Sequence, residues 1–132
     1  MTQFKKDQKK ADEVAKRTEN YTEEEKQMAW SKIKNELQPY DILEGTIIVK
    51  APFGVFLDVG KEFSALLRLP AMKDLNKEPN KNNYSDYQED KIYNLGEKLQ
   101  VYFVGMSEDL HDFIVTEYTK EYIESNPNHL FS

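Results

Sequence analysis

The chain has 132 residues, of which 39% are hydrophobic, and a formal net charge of −6; that length suits one domain with an appendage and a modest core. It contains no cysteine, which excludes a disulfide framework and a thiolate metal site. No apolar run approaches membrane-spanning length, and the N-terminal stretch MTQFKKDQKKADE lacks the apolar centre of a secretory signal.

The cytoplasm is therefore the expected compartment. The sequon Asn20-Tyr21-Thr22 then has no consequence, because its glycan is added only on a secretory route.

The first 18 residues are polar and Lys-rich, with six Lys or Arg against three acids. Phe4, Ala11, Val14 and Ala15 are their only apolar side chains beyond Met1, and three of them fall on one thin helical stripe. A solvated, frayed helix, disordered over parts of residues 1–20, is the expectation, with an ordered RNA-contacting arm as its rival. A stronger helix signal follows. Thr22 and Glu25 form a capping box, Glu23 and Glu24 favour the positive end of the helix dipole, and Pro39 forces a stop. The spacing predicts a helix from Thr22 to Gln38 with Met28, Ala29, Trp30, Ile33 and Leu37 as its apolar face. That face either packs on the main body or docks another protein.

From Gly45 to Pro70 the pattern changes. In GTIIVKAPFGVFLDVGKEFSALLRLP apolar residues alternate and glycines recur at Gly45, Gly54 and Gly60, which predicts consecutive short, bent strands. A polar excursion then runs from Ala71 to Leu95, whose strongly aliphatic side chains are Met72, Leu75, Ile92 and Leu95. Segments this long are functional or disordered more often than not. Its Tyr84, Tyr87 and Tyr93 either stack on unpaired bases and anchor partners or lie as packing over the body. After Gly96 come a strand at Leu99 to Met106, a hairpin turn at Ser107 to Asp112 and a last strand at Phe113 to Thr116. The turn holds three carboxylates and His111, but no second ligand cluster stands at a metal-binding spacing, so a solvated turn is the expectation. A short helix or strand extension is expected at Tyr118 to Ile123, then a stop at Asn126 to His129, with Leu130 and Phe131 folded back on the body.

These elements predict a mainly β architecture, a small closed or nearly closed barrel with a helical extension before it and a tail at 118–132. The segment Phe53-Gly54-Val55-Phe56-Leu57, the turn Asp58-Val59-Gly60, and the openings at Gly45 and Gly96 resemble the RNA-binding domain first described in bacterial ribosomal protein S-one, an oligonucleotide-binding (OB) fold. The resemblance covers about residues 41–116 and implies a five-stranded OB-type antiparallel barrel over residues 41–117. Where that family carries Gly-Leu-aliphatic-His-aliphatic-Ser, this chain reads Ala65 to Pro70, with Arg68 and Pro70 at the His and Ser positions. The resemblance implies single-stranded RNA laid across a face that displays Phe53, Phe56 and Arg68, with Lys50 nearby; the polar loop adds Tyr84 and Tyr87 as candidate contacts on its own composition. Strict alternation would put Phe53 and Phe56 on opposite faces and one of them in the core, unless Gly54 carries a bulge.

Nothing points to catalysis. Gly-rich phosphate loops are absent from the sequence, and neither His111 nor His129 comes with a signature partner; no cofactor and no metal is expected. Residues 41–117 hold eight Lys or Arg against fourteen acids, which opposes the counterion release that drives backbone binding. Two functions are therefore weighed. One is a non-catalytic single-stranded RNA module; the other is an acidic protein-binding module that inhibits or adapts a basic partner, such as an RNA-directed toxin or a ribosomal protein.

Overall fold

The computed structural model describes residues 4–75, 84–108 and 112–126. The loop tip at 76–83, His111 with its two predecessors, and the expected tail contacts of His129, Leu130 and Phe131 lie outside these residues. A closed barrel is built from β2 (Ile42–Ala51), β3 (Gly54–Asp58), β4 (Ala65–Arg68), β5 (Lys98–Ser107) and β6 (Asp112–Thr116). Strand order is β2-β3-β4-β6-β5, and β5 pairs back to β2. All pairings within it are antiparallel except β4 with β6. The barrel is thus mixed rather than purely antiparallel, and its order is that of an OB-type barrel.

Alternation gives the barrel an inside. Ile47, Val55, Leu57, Ala65, Leu67, Val101, Phe103, Phe113 and Val115 point inward and are buried. Two irregularities bend the sheet, one in β2 between Ile47 and Val49 and one in β5 between Phe103 and Gly105. Each adds an unpaired residue and increases local twist, as closure of a small barrel requires.

The helix α2 (Glu23–Glu36), preceded by the shorter α1 (Gln8–Lys16), starts at the Thr22 cap with both capping-box bonds formed and ends at Leu37. It buries Trp30 and Ile33 in the barrel core, so its apolar face serves packing. The Trp30 ring stacks on Phe113 at 6.0 Å and meets Phe63 edge-on at 5.2 Å. Its Nε1–H donates to Glu108 Oε2 at 2.6 Å, and Lys34 Nζ donates to the other oxygen of the same carboxylate at 2.7 Å. Met28, placed on the apolar face from sequence, is exposed instead.

The N-terminal segment departs most from expectation. Rather than a frayed helix, residues 5–17 form a two-residue strand β1 (Lys5–Lys6) and a helix α1 (Gln8–Lys16), both held on the barrel. Lys5 pairs with Lys50 and Lys6 with Val49 of β2. Val14 is buried against Ile48, Val49 and Phe56. Just past α1, Arg17 grips both oxygens of Asp58 at 2.8 and 3.0 Å and donates to the Lys61 carbonyl. One buried apolar side chain and one bidentate pair anchor the segment, a combination no local pattern announces.

These bonds from Arg17 hold the Asp58 carboxyl below its ordinary value. Because the folded value is the lower one, the pair's contribution is present above the unfolded carboxylate value, roughly pH 4, and is lost as pH falls through the folded value. Asp58→Asn should cost about 1 to 2 kcal/mol at neutral pH. Urea melts of both proteins across the acid range should show that difference shrinking below about pH 4.

In the long excursion, a helix α3 (Tyr84–Gln88) packs its Tyr87 into the core, and Tyr93 is buried too. After β6, Thr119 caps a last short helix, α4 (Lys120–Ser125). Among the described residues no helix is long and apolar enough to cross a membrane.

Candidate nucleic-acid interface

Gly54 organises the outer surface. It opens β3 with φ +155°, opposite Arg68, and Val55, Phe56 and Leu57 follow opposite Leu67, Leu66 and Ala65. Val55 and Leu57 take the inward positions, so Phe56 points out. Phe53 precedes Gly54 in the turn and also ends outside, 45% exposed. Neither ring is in the barrel core, contrary to the expectation that one would be: the bend at Gly54 breaks strict alternation between them. Their rings meet edge-on at 6.0 Å, and Phe56 leans on the Val14, Ile48 and Val49 cluster beneath α1.

Arg68 is exposed on the neighbouring strand. Beside it a groove of about 130 Å³ is lined by Arg68, Pro70, Val104, Ile114 and Thr116, among others. Val104 follows the inward Phe103 and faces outward by strand alternation, 38% exposed. The register carries one row of outward positions across this side of the barrel, Val49 to Phe56 to Leu66 to Ile114, of which Val49 and Leu66 are buried beneath it and Phe56 and Ile114 are half-buried. Two aromatic rings, an aliphatic floor and a guanidinium therefore share one face. Such a surface can stack planar bases and hold a phosphate.

Other sequence candidates lie elsewhere. Lys50 is only 4% exposed. It opposes the inward Val55 and reaches Asp90 at 3.1 Å, donates to the Ile92 carbonyl at 2.8 Å and lies 4.3 Å from the centre of the Tyr87 ring. A lysine so buried needs that carboxylate, and it ties the excursion to β2 instead of standing on the outer face. Tyr87 is buried with its hydroxyl donating to the carbonyls of Ala51 and Gly54; burial raises its pKa. Tyr84 is half-buried and stacks on Tyr87 at 6.0 Å. Tyr93 accepts from the Asp74 amide and donates to Glu117. Burial drives up the pKa of Tyr93 and, first among its causes, that of Glu117 as well. Tyr87 and Tyr93 are packing and hydrogen-bonding groups, so Tyr87 is no exposed loop contact, whereas Tyr84 packs on Tyr87 and keeps part of its ring at the surface.

Sequence reading missed Phe4, Val104 and Ile114. The Phe4 ring sits edge-on to Phe53 at 5.8 Å and is 55% exposed. The available signal was Phe4 standing directly before Lys5 and Lys6 in a stretch with few other apolar side chains.

No family model and no curated protein matches the chain. Solved structures do match it. An uncharacterized protein from Methanocaldococcus jannaschii is 13% identical with a TM-score of 0.45, over 62% of this chain and 93% of that one. A candidate exosome complex RNA-binding protein is 18% identical with a TM-score of 0.43, over 60% of this chain and 42% of that one. A chain in an a/eIF2α–aDim2p–rRNA complex from Pyrococcus horikoshii is 11% identical with a TM-score of 0.46, over 70% of this chain and 52% of that one. This chain spans about half or less of the latter two.

Proposed function

We propose that this chain is a non-catalytic module that binds single-stranded RNA on the outer face of its barrel. The observation that carries the reading is the exposed Phe53 ring, edge-on to Phe56, with Arg68 exposed on the adjoining strand. Burying such a ring against a base is favourable and makes no demand on sequence, since every base has a π-face. The guanidinium supplies a bidentate phosphate contact or a second stacking plane. Binding is weak and sequence-tolerant, and it fails early as salt rises, because the barrel is acidic and few cations hold the backbone.

Titration of a labelled single-stranded RNA at two salt concentrations tests this. Phe53→Ala should weaken binding by about one to two decades with the fold intact, as stacking is worth roughly 1 to 3 kcal/mol per ring. Arg68→Ala should weaken all sequences alike and lower the salt slope by about one unit. Absence of binding by the wild type at low salt would sink the reading and turn attention to a basic protein partner for the acidic body.

A further inference from the structure

The ring string of the outer face continues beyond the barrel. Phe4 meets Phe53 edge-on at 5.8 Å, and Phe53 meets Phe56 edge-on at 6.0 Å, so three phenylalanines follow one another from the N-terminal segment onto β3. Phe4 is 55% exposed and Phe53 45%. Adjacent exposed rings of this size are uncommon on a surface with no partner.

The segment that presents Phe4 is held at several points. β1 adds to the edge of β2, the Asp7 amide donates to the Ile48 carbonyl at 2.9 Å, Lys5 bonds Asp90, and Arg17 grips Asp58. Strand alternation puts Lys6 on the same side as Phe4, and Lys6 is exposed. The register then runs Lys6 to Val49 to Phe56 to Leu66 to Ile114, one row of outward positions over five strands, in which Val49 and Leu66 are buried and Phe56 and Ile114 are half-buried. At the usual interstrand spacing this row is roughly 19 Å long. Cations stand at Lys6 and at Arg68, with rings between them, and the first 18 residues hold six Lys or Arg against three acids while the barrel is acidic.

We propose that the β1–α1 arm forms one wall of the track for single-stranded RNA, with Phe4 as a stacking platform and Lys6 as a phosphate contact. The proposal rests on the reading of this face as RNA-binding and adds the arm to it. The occupant is a single strand because unpaired bases offer faces to Phe4, Phe53 and Phe56 while a polyanionic backbone matches cations spaced on either side of them. The arm thereby supplies positive charge that the barrel lacks.

The test uses the full chain and a labelled oligouridylate of about ten nucleotides, inside the usual span of an OB site. Phe4→Ala should weaken binding about ten-fold at an unchanged salt slope, and Phe4→Tyr should keep wild-type affinity. Lys6→Gln should lower the salt slope by about one unit. Melting temperatures should stay near wild type, since both side chains are exposed. If Phe53→Ala weakens binding while Phe4→Ala and Lys6→Gln bind like wild type, the arm is no part of the track and the RNA reading itself survives. A loss in Phe4→Ala that comes with a lower melting temperature, together with an unchanged slope in Lys6→Gln, also overturns the proposal, because the arm would then be structural only. No binding by the wild type overturns both.

Discussion

Trp30→Ala should destabilise the protein by roughly 3 to 5 kcal/mol, the range for truncating a large buried aromatic. The ring is 1% exposed, stacked on Phe113 and edge-on to Phe63, so its removal opens a cavity among side chains that belong to α2 and to the barrel alike. The change also takes an N–H from the Glu108 carboxylate, and a hydrogen bond to a charged group is among the stronger ones. For a domain of this size the melting point should fall by about 10 to 20 °C. Because Trp30 is the only tryptophan, circular dichroism is the right readout for the variant, while wild-type emission should be blue-shifted. Trp30→Phe keeps most of the apolar volume and loses the bond to Glu108, so it should fall between the two. A solvent-like emission maximum in well-folded wild type, or a loss under about 1 kcal/mol in the alanine variant, would show that α2 does not seal the core.

Gly54→Ala should be comparably severe, at roughly 2 to 5 kcal/mol, from backbone strain and overpacking together. A Cβ on Gly54 would stand 2.3 Å from the Leu67 carbonyl oxygen and 3.0 Å from the Arg68 Cα, both backbone atoms that cannot swing away, and φ there is +155°. Relief requires β3 and β4 to separate. That would also shift Arg68 relative to Phe53 and Phe56, and it would disturb the Gly54 carbonyl that accepts from Tyr87. Gly105→Ala is the control, since nothing lies within 4 Å of its added Cβ; it should change stability by under about 1 kcal/mol. Equal melting curves for the two variants would mean that the close approach at Gly54 is not a constraint on the fold.

Local patterns determined much of this molecule. The Thr22–Glu25 capping box and Pro39 bound α2 to within two residues of its ends, because a cap and a missing N–H act within one turn. Period-two alternation and recurrent glycines located the strands of Gly45 to Pro70 and the run at Leu99 to Met106, since a strand with one buried face writes that face directly into its residue order, and the resemblance supplied the last strand and the count of five. Phe53, Phe56 and Arg68 were marked for the outer face by the family resemblance, whereas alternation alone would have put one of the two rings inside.

Only the tertiary structure decided which groups are free on that face. Lys50 looks like a surface cation in the sequence, yet its charge is taken up by Asp90, forty residues away. Tyr87 and Tyr93 look like exposed loop rings, yet their hydroxyls meet Ala51 and Glu117, which no neighbouring residue reveals. Phe4 and α1 look like a solvated lead-in, yet β1 pairs with β2 and Arg17 finds Asp58, forty-one residues on. In each case the partner is distant along the chain. Helix caps and strand alternation are set by backbone geometry over a few residues, whereas burial of a charge or a hydroxyl is worthwhile only when a compensating group is brought to it by the closed barrel.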